Sequence, residues 1–385
     1  MPAAINRWDI FCTVVDHYGD AGVCWRLARQ LAAEHGLSMR LWIDRPATLA
    51  RLVPAVDPTL RAQHVDGVDI RCWETPFAAT VPADVVLETF GCELPATYLD
   101  AMAAAPVHPV WINLDYLSAE DWVEGCHGLP SPHPRLPLTK HFFFPGFTPR
   151  TGGVLVERDL AAARRAFQAD AAARENFWRA LDAAPQPDAL KVSLFCYDRA
   201  PVAALLDAWS HSRTPIACYV PAGVATRALE DWFRTPLVPG RPQQARALTL
   251  HPVAFQDQPG YDRLLWACDI NFVRGEDSFV RAQLAARPFV WNIYPQQADA
   301  HRVKLEAFLA RYAAGLPPRP AAAVQHMMQA WNGAGDIAAT WEAFAAARPG
   351  LTAAAGAWAD GLAAGNGLAD SLVRFAGERL QSPSF

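Results

Sequence analysis

The chain has 385 residues, of which 52% are hydrophobic, so it can bury two cores, and one continuous core would be unusual at this length. Its 34 lysines and arginines against 39 aspartates and glutamates give a formal charge of −5, which argues against a protein that binds nucleic acid through its phosphates. Eight cysteines occur singly, and no run of about 18 apolar residues is present. We therefore expect a cytoplasmic protein with reduced thiols, no zinc site and no membrane contact.

Short apolar runs alternate with helical patterns along the first part of the chain, as expected for β-α-β units that form a parallel sheet. The first predicted strand, "IFCTVV", is followed by a turn and by a predicted helix over 21–32. Further strand-like runs occur at 37–44, 68–73, 84–90 and 108–114. The segment 129–153 is dense in proline and glycine, and we expect it to be a connector, because proline lacks the amide that helices and central strands need.

A second series of strand-like runs follows this segment, again with helical patterns in between. The runs lie at 190–197, 214–221, 247–255, 268–274 and 287–295. From about Ala321 the sequence becomes helical and rich in alanine. The residues alone thus predict two α/β sheets in succession, followed by helices.

The stretch "DHYGD" places Asp16 and Asp20 after the first predicted strand, where ligands bind in open α/β sheets. Asp20 alone is explained as the N-cap of helix 21–32, since an aspartate there accepts free amide hydrogens. A second carboxylate four residues earlier has no evident structural duty, so the pair favours a chemical role. The turn lacks the G-x-G-x-x-G spacing of nicotinamide- or flavin-binding loops.

A second candidate site is the turn "RGEDS", which links a predicted buried strand to a helix. Free amides at a helix N-terminus favour anions, and Arg274 and Ser278 add a positive charge and a hydroxyl. A diphosphate would suit this place. Glu276 and Asp277 would repel a bare phosphate unless they face hydroxyl groups, so the turn indicates a nucleotide-sugar. An ordinary N-cap is the alternative interpretation.

Several segments resemble those of the elongation factor P arginine rhamnosyltransferases, from the first strand to about Pro295. They are "WDIFCTVVDHYGDAGVCWRLARQLA", "WINLDYLSAEDWV", "HGLPSPHP", "FFFPGFT", "TGG" and "YDRLLWACDINFVRGEDSFVRAQLAARPFVWNIYPQ". The resemblance implies a glycosyltransferase of GT-B type, with two Rossmann-like α/β domains facing each other across a cleft. It also implies an inverting transfer of L-rhamnose from dTDP-β-L-rhamnose to an arginine side chain of elongation factor P.

The resemblance further implies roles for individual residues. Asp16 and Asp20 correspond to an acidic pair with Asp20 as the candidate base, and Glu276 is a third acidic residue associated with activity. The residues implied to bind dTDP-rhamnose, called here the donor set, are Tyr197, Phe255, Gln258, Tyr261, Arg274, Asp277 and Ser278. No D-x-D motif occurs in the sequence, so we expect no metal and no other cofactor.

The predicted domain boundaries follow from the two series of strands and from the resemblance. We expect an acceptor-binding domain over 1–155, a linker over 156–186 and a nucleotide-sugar-binding domain over 187–355, with a C-terminal helix, 360–385, packing back on the first domain. Two alternatives remain open. One is a GT-B enzyme that acts on another acceptor, and the other is a non-catalytic nucleotide-binding adaptor, against which the acidic pair argues.

Overall fold

The computed structural model describes residues 6–16, 18–183, 186–295 and 300–381. The chain divides into two compact units: Met1–Arg158 with Ala364–Phe385, and Asp159–Ala363. Each unit has its own sheet and its own buried core. None of the helices in the described ranges combines the length and apolarity that a membrane span needs.

The first unit is built on a mostly parallel sheet. Its strands are β1 (Arg7–Cys12), β2 (Ser38–Ile43), β3 (Ala62–Val65), β4 (Val68–Cys72), β5 (Val85–Thr89), β6 (Val110–Leu114), β7 (Pro130–Pro132) and β8 (Thr139–Phe143). Its helices are α1 (Tyr18–His35), α2 (Pro46–Leu52), α3 (Ala96–Ala103), α4 (Trp122–Cys126) and, near the end of the chain, α14 (Leu368–Gln381). The strand order is β3-β4-β2-β1-β5-β6-β8-β7. Among the described strands of this sheet, β3 pairs antiparallel with β4 and β7 pairs antiparallel with β8, and the other pairings are parallel.

The order of the first sheet reverses at β1, which has β2 on one side and β5 on the other. Five consecutive residues of β1, from Trp8 to Cys12, are buried, as are all five residues of β5. Such continuous burial is typical of central parallel strands that are covered on both faces. Loops that leave the carboxyl ends of these strands therefore lie at a switch point, where open α/β sheets bind ligands.

The second unit repeats this plan. Its strands are β9 (Leu190–Leu194), β10 (Ile216–Pro221), β11 (Gln243–Ala245), β12 (Leu248–Val253), β13 (Ile270–Arg274) and β14 (Phe289–Asn292). Its helices are α5 (Leu160–Ala169), α6 (Ala171–Ala180), α7 (Val202–Ser210), α8 (Thr226–Phe233), α9 (Gln258–Ala267), α10 (Asp277–Leu284), α11 (Ala300–Ala313), α12 (Pro318–Trp331) and α13 (Ile337–Ala364). The strand order is β11-β12-β10-β9-β13-β14, so the switch point lies between β9 and β13.

The predicted strands of both series are confirmed, since each overlaps an observed strand. The helix predicted over 21–32 is also confirmed, and it extends on both sides, from Tyr18 to His35. One local prediction is wrong. The segment 129–153 is not only a connector, because it supplies β7 and β8. β8 contains no proline, and β7 lies at the edge of the sheet, where a missing amide costs no ladder hydrogen bond.

A short junction ties the C-terminal segment to the body of the first unit. Val154 and Gly367 form a parallel bridge, and the Leu368 N–H donates to the Val154 carbonyl at 2.9 Å. Gly153 has a φ of +79°, and a Cβ added there would collide with the Asn366 carbonyl oxygen. The close approach of these two backbones therefore requires glycine.

We predict that Gly153→Ala destabilises the protein more than Gly36→Ala. Gly36 is a matched control, because it also has a positive φ, of +66°, but a Cβ there would meet nothing within 4 Å. The left-handed backbone alone costs about 1–2 kcal/mol for alanine, and the collision at Gly153 adds roughly 1–3 kcal/mol. Thermal unfolding of both variants checks this prediction. Equal losses of stability would contradict the claim that the close backbone approach at Gly153 requires glycine.

Candidate active site

The acidic turn "DHYGD" leaves the carboxyl end of β1 at the switch point of the first sheet. Because α1 begins at Tyr18, Asp20 lies in the first turn of the helix. The alternative interpretation of Asp20 as the N-cap of a helix over 21–32 is therefore wrong. The carboxylate instead reaches back to backbone amides that precede the helix.

The carboxylate of Asp20 holds three hydrogen bonds. Its Oδ2 accepts from the backbone N–H groups of Val15 and Asp16, each at 2.8 Å, and its Oδ1 accepts from the Tyr116 hydroxyl at 3.0 Å. The Asp20 side chain has no exposed surface, whereas Asp16 is 9% exposed. The buried carboxylate of Asp20 thus shapes the turn that carries Asp16, and the two predicted residues are joined through the Asp16 backbone amide.

Tyr116 and Phe90 extend this site to two neighbouring strands. Phe90 follows β5 and Tyr116 lies shortly after β6, and their rings stack with centroids 4.3 Å apart and planes 9° apart. Sequence reasoning missed both residues, because Tyr116 is 96 positions from Asp20. The carboxyl-end rule that drew attention to Asp16 and Asp20 applies equally to the residues after the predicted strands 84–90 and 108–114.

Glu88 is another buried carboxylate of the first unit, 4% exposed, and its oxygens are also satisfied within the sheet. It accepts hydrogen bonds from Trp111 Nε1 at 3.0 Å, Asn113 Nδ2 at 3.3 Å and Lys140 Nζ at 2.9 Å. Burial raises the pKa of Glu88, and the ion pair with Lys140 opposes that rise. These contacts give Glu88 a structural role between three strands.

In the second unit, Arg274 ends β13 at the switch point. Its guanidinium carbon lies 4.9 Å from the ring centroid of Phe195 and 4.5 Å from that of Tyr197. Tyr197 in turn meets Tyr294 edge to face, with centroids 5.5 Å apart. Contacts of a guanidinium with aromatic faces are attractive and orient its flat donor group. Phe195 and Tyr294 were missed from sequence, although Phe195 lies two residues before the predicted Tyr197.

The turn after Arg274 opens α10, whose first residue is Asp277, so the helix predicted to follow this turn is confirmed. The Ser278 hydroxyl donates to the Arg274 carbonyl and accepts from the Arg274 N–H at 3.2 Å. Glu276, Asp277 and Ser278 are each at most 9% exposed. Ser278 therefore closes the turn and orients the helix N-terminus, which is the part that favours an anion.

The remaining donor-set residues lie on or just before α9. Gln258 begins this helix, is buried, and its Nε2 lies 3.5 Å from Asp277 Oδ2. The ring of Tyr261 packs 5.4 Å from that of Phe195, and burial raises the pKa of its phenol. Phe255 is half-buried in the loop before the helix. The structure thus brings α9 and α10 together around the predicted donor residues.

A buried ion pair fixes α9 against α10. Arg281 of α10 donates through Nε and Nη2 to the two carboxylate oxygens of Asp262 in α9, at 2.9 and 2.8 Å, and both residues are at most 5% exposed. Such bidentate pairs are geometrically specific, and removal of one partner leaves an uncompensated buried charge. Sequence reasoning missed this pair, which sets the position of Gln258 relative to Asp277.

The ten predicted site residues divide between the units. Asp16 and Asp20 belong to the first unit. The others belong to the second unit, where they lie at the end of β13 or after β9, β12 and β13: Tyr197, Phe255, Gln258, Tyr261, Arg274, Glu276, Asp277 and Ser278. Each unit therefore carries polar side chains at the switch point of its own sheet. The roles assigned to these residues stay predictions.

Two Rossmann-like units of this kind are the architecture of the GT-B glycosyltransferases. A solved structure described as the structural basis for EarP-mediated arginine glycosylation of translation elongation factor EF-P matches with a TM-score of 0.69 and 36% sequence identity. The match covers 97% of this chain and 99% of that one. The predicted GT-B type α/β fold is confirmed.

Comparison of sequences places the chain more closely. The family model described as Elongation-Factor P (EF-P) rhamnosyltransferase EarP matches residues 8–377. A protein-arginine rhamnosyltransferase of Pseudomonas putida is 48% identical and one of Pseudomonas aeruginosa is 45% identical, each over 96% of this chain and 98% of the relative. The chain belongs to the EarP family of elongation factor P rhamnosyltransferases, as the resemblance of its motifs predicted.

We predict that Asp20→Ala lowers stability by roughly 2–4 kcal/mol, because each buried donor left without an acceptor costs about 1–3 kcal/mol. Asp20→Asn is the matched control. Its side-chain oxygen still accepts from the two backbone amides, and its nitrogen donates to the Tyr116 oxygen, so we expect a loss under about 1.5 kcal/mol. Thermal unfolding distinguishes the variants, and an Asp20→Ala protein as stable as the parent would contradict this account of the turn.

Proposed function

We propose that this chain, a protein-arginine rhamnosyltransferase by family, transfers L-rhamnose from dTDP-β-L-rhamnose to an arginine side chain of translation elongation factor P, with inversion at the anomeric carbon. The observation that carries the proposal is the similarity to protein-arginine rhamnosyltransferases, which runs through both units and covers 96% of the chain. Eight free cysteines agree with a cytoplasmic location, which we also propose.

The acceptor sets the harder chemical problem. An arginine side chain stays protonated at physiological pH, with a pKa above about 12, so its nitrogen is a poor nucleophile. In our proposal Asp16, which retains exposed surface, binds the guanidinium first through charge-assisted hydrogen bonds. Because Asp20 has no exposed surface, its Oδ1 has to become accessible before the guanidinium can reach it. Asp20 then takes the proton as the new bond forms.

The donor is assigned to the second unit. Arg274 and the N-terminus of α10 are suited to the diphosphate, because both favour negative charge that grows on the leaving group. Glu276 and Asp277 face the sugar hydroxyls in this proposal, and the Phe255 ring packs against the thymine of the nucleotide. We propose that no metal is needed, since a guanidinium and helix amides supply the positive potential.

The bond changes balance as follows. An arginine nitrogen attacks the anomeric carbon on the face opposite the diphosphate, the carbon–nitrogen bond forms, and the bond to the diphosphate oxygen breaks. The guanidinium proton passes to Asp20, and dTDP leaves with the electron pair. Attack from the opposite face inverts the configuration, and the enzyme contributes by holding both groups in line.

The proposed function predicts that the purified protein, mixed with dTDP-β-L-rhamnose and elongation factor P, adds one deoxyhexose to the acceptor in an intact-mass measurement. Replacement of the modified arginine by lysine should abolish the addition, and free arginine should be a very poor acceptor. Asp20→Asn and Asp16→Asn should each transfer at least about a hundredfold more slowly, within the range of a positioned base. No mass increase, or equal modification of free arginine, would contradict the proposal.

A separate prediction concerns donor binding. dTDP should raise the melting temperature in the presence of EDTA, since binding to the folded state alone stabilises it. Arg274→Ala should weaken dTDP binding roughly 10- to 100-fold, because a hydrogen bond to a charged group contributes about 1.5–3 kcal/mol. Arg274→Lys is the matched control and should fall between, since it keeps the charge but loses the flat contact with Tyr197. Strict dependence on a divalent cation would contradict the proposed donor site.

A further inference from the structure

We propose that Tyr116, supported by Phe90, is a positioning residue that orients the reactive oxygen of Asp20. The inference rests on the proposed function and deepens it, because it assigns separate tasks to the two oxygens of one carboxylate. These two oxygens have different hydrogen-bond partners. Oδ2 accepts from two backbone amides, whereas Oδ1 accepts from the Tyr116 hydroxyl.

The two backbone amides commit Oδ2 to the structure of the turn. Both bonds are 2.8 Å long and join Asp20 to Val15 and Asp16, so this oxygen cannot take a proton without losing contacts that hold the turn. Oδ1 has a single neutral donor at 3.0 Å and retains a lone pair. Oδ1 is therefore the oxygen that receives the proton, and the Tyr116 hydroxyl fixes the direction of its remaining lone pair.

The position of Tyr116 is itself determined by Phe90. The two rings stack almost in parallel, 4.3 Å apart. The Phe90 N–H donates to the Leu114 carbonyl at 2.8 Å, and the Tyr116 N–H donates to Asp115 Oδ1 at 2.7 Å, so the backbones on both sides of the stack are anchored. The Tyr116 ring therefore has little freedom to carry its hydroxyl away from Asp20.

The backbone of Phe90 carries a second sign of this role. Its φ is +55°, a conformation that is a genuine outlier for a bulky side chain and that glycine would adopt without strain. Strain of this kind persists where the surrounding structure holds it, and it clusters at functional sites. The aromatic ring at this position explains the strain, because only a flat side chain there stacks on Tyr116.

Tyr116→Phe tests the proposal, because it keeps the ring stack and removes only the hydroxyl. We expect kcat for rhamnose transfer to fall about 10- to 100-fold, the effect of one hydrogen bond to a charged group. The KM for dTDP-rhamnose should stay within about twofold, and the melting temperature within a few degrees of the parent. A kcat of Tyr116→Phe within about threefold of the parent value would overturn the inference. As long as the parent transfers rhamnose in the same assay, that result leaves the proposed function unaffected. A parent that transfers no rhamnose would instead contradict the proposed function.

A double-mutant cycle separates positioning from a general structural effect. If Tyr116 acts through Asp20, adding Tyr116→Phe to Asp20→Asn should slow transfer by less than about threefold, whereas adding it to Arg274→Ala should slow transfer by its full factor. The full factor in both backgrounds would overturn the inference. Phe90→Leu should also lower kcat, whereas Phe90→Tyr, which keeps an aromatic ring, should have a kcat within about threefold of the parent. Because both replacements keep the same backbone strain, equal rates for these two variants would contradict the role of the ring.

Discussion

A carboxylate without exposed surface has to find all its partners inside the protein, and in the first unit this requirement falls on Asp20. Two amides at the exit of β1 and a hydroxyl beyond β6 meet it there, so segments far apart in sequence are held at one edge of the sheet. The same negative charge is the one that the proposed reaction uses. Fold and chemistry therefore depend on one side chain, and asparagine is the substitution that separates them, since it preserves the contacts without the charge.

In the second unit the charge that is held by its neighbours is positive. Arg274 lies at the end of β13, and contacts with the rings of Phe195 and Tyr197 orient its guanidinium. The turn behind it is closed by Ser278, and the helices on either side are joined by Arg281 and Asp262. A site preorganised in this way suits a leaving diphosphate, because stabilising groups that are already oriented need no rearrangement as charge develops.

Features that depend on local sequence were predictable, and features made by distant contacts were not. Runs such as "DVVLETF" at 84–90 identified buried strands, and the place of Asp16, Asp20 and Arg274 at or after the ends of strands indicated both candidate sites. The start of α1 was placed too late, because Asp20 resembles a cap but reaches back from inside the helix. β8 was missed because prolines surround a proline-free strand. Tyr116 was missed because no spacing rule joins residues 96 positions apart.

The central claim is that the first unit binds the acceptor arginine and the second unit binds the nucleotide-sugar. Hydrogen–deuterium exchange of the whole protein, measured once with dTDP and once with elongation factor P, tests it most directly. The account predicts that dTDP slows exchange in peptides containing Tyr197 and 255–278, and that elongation factor P slows exchange in peptides containing Asp16 and Tyr116. Protection of the Asp16 peptides by dTDP, with none in 255–278, would contradict it.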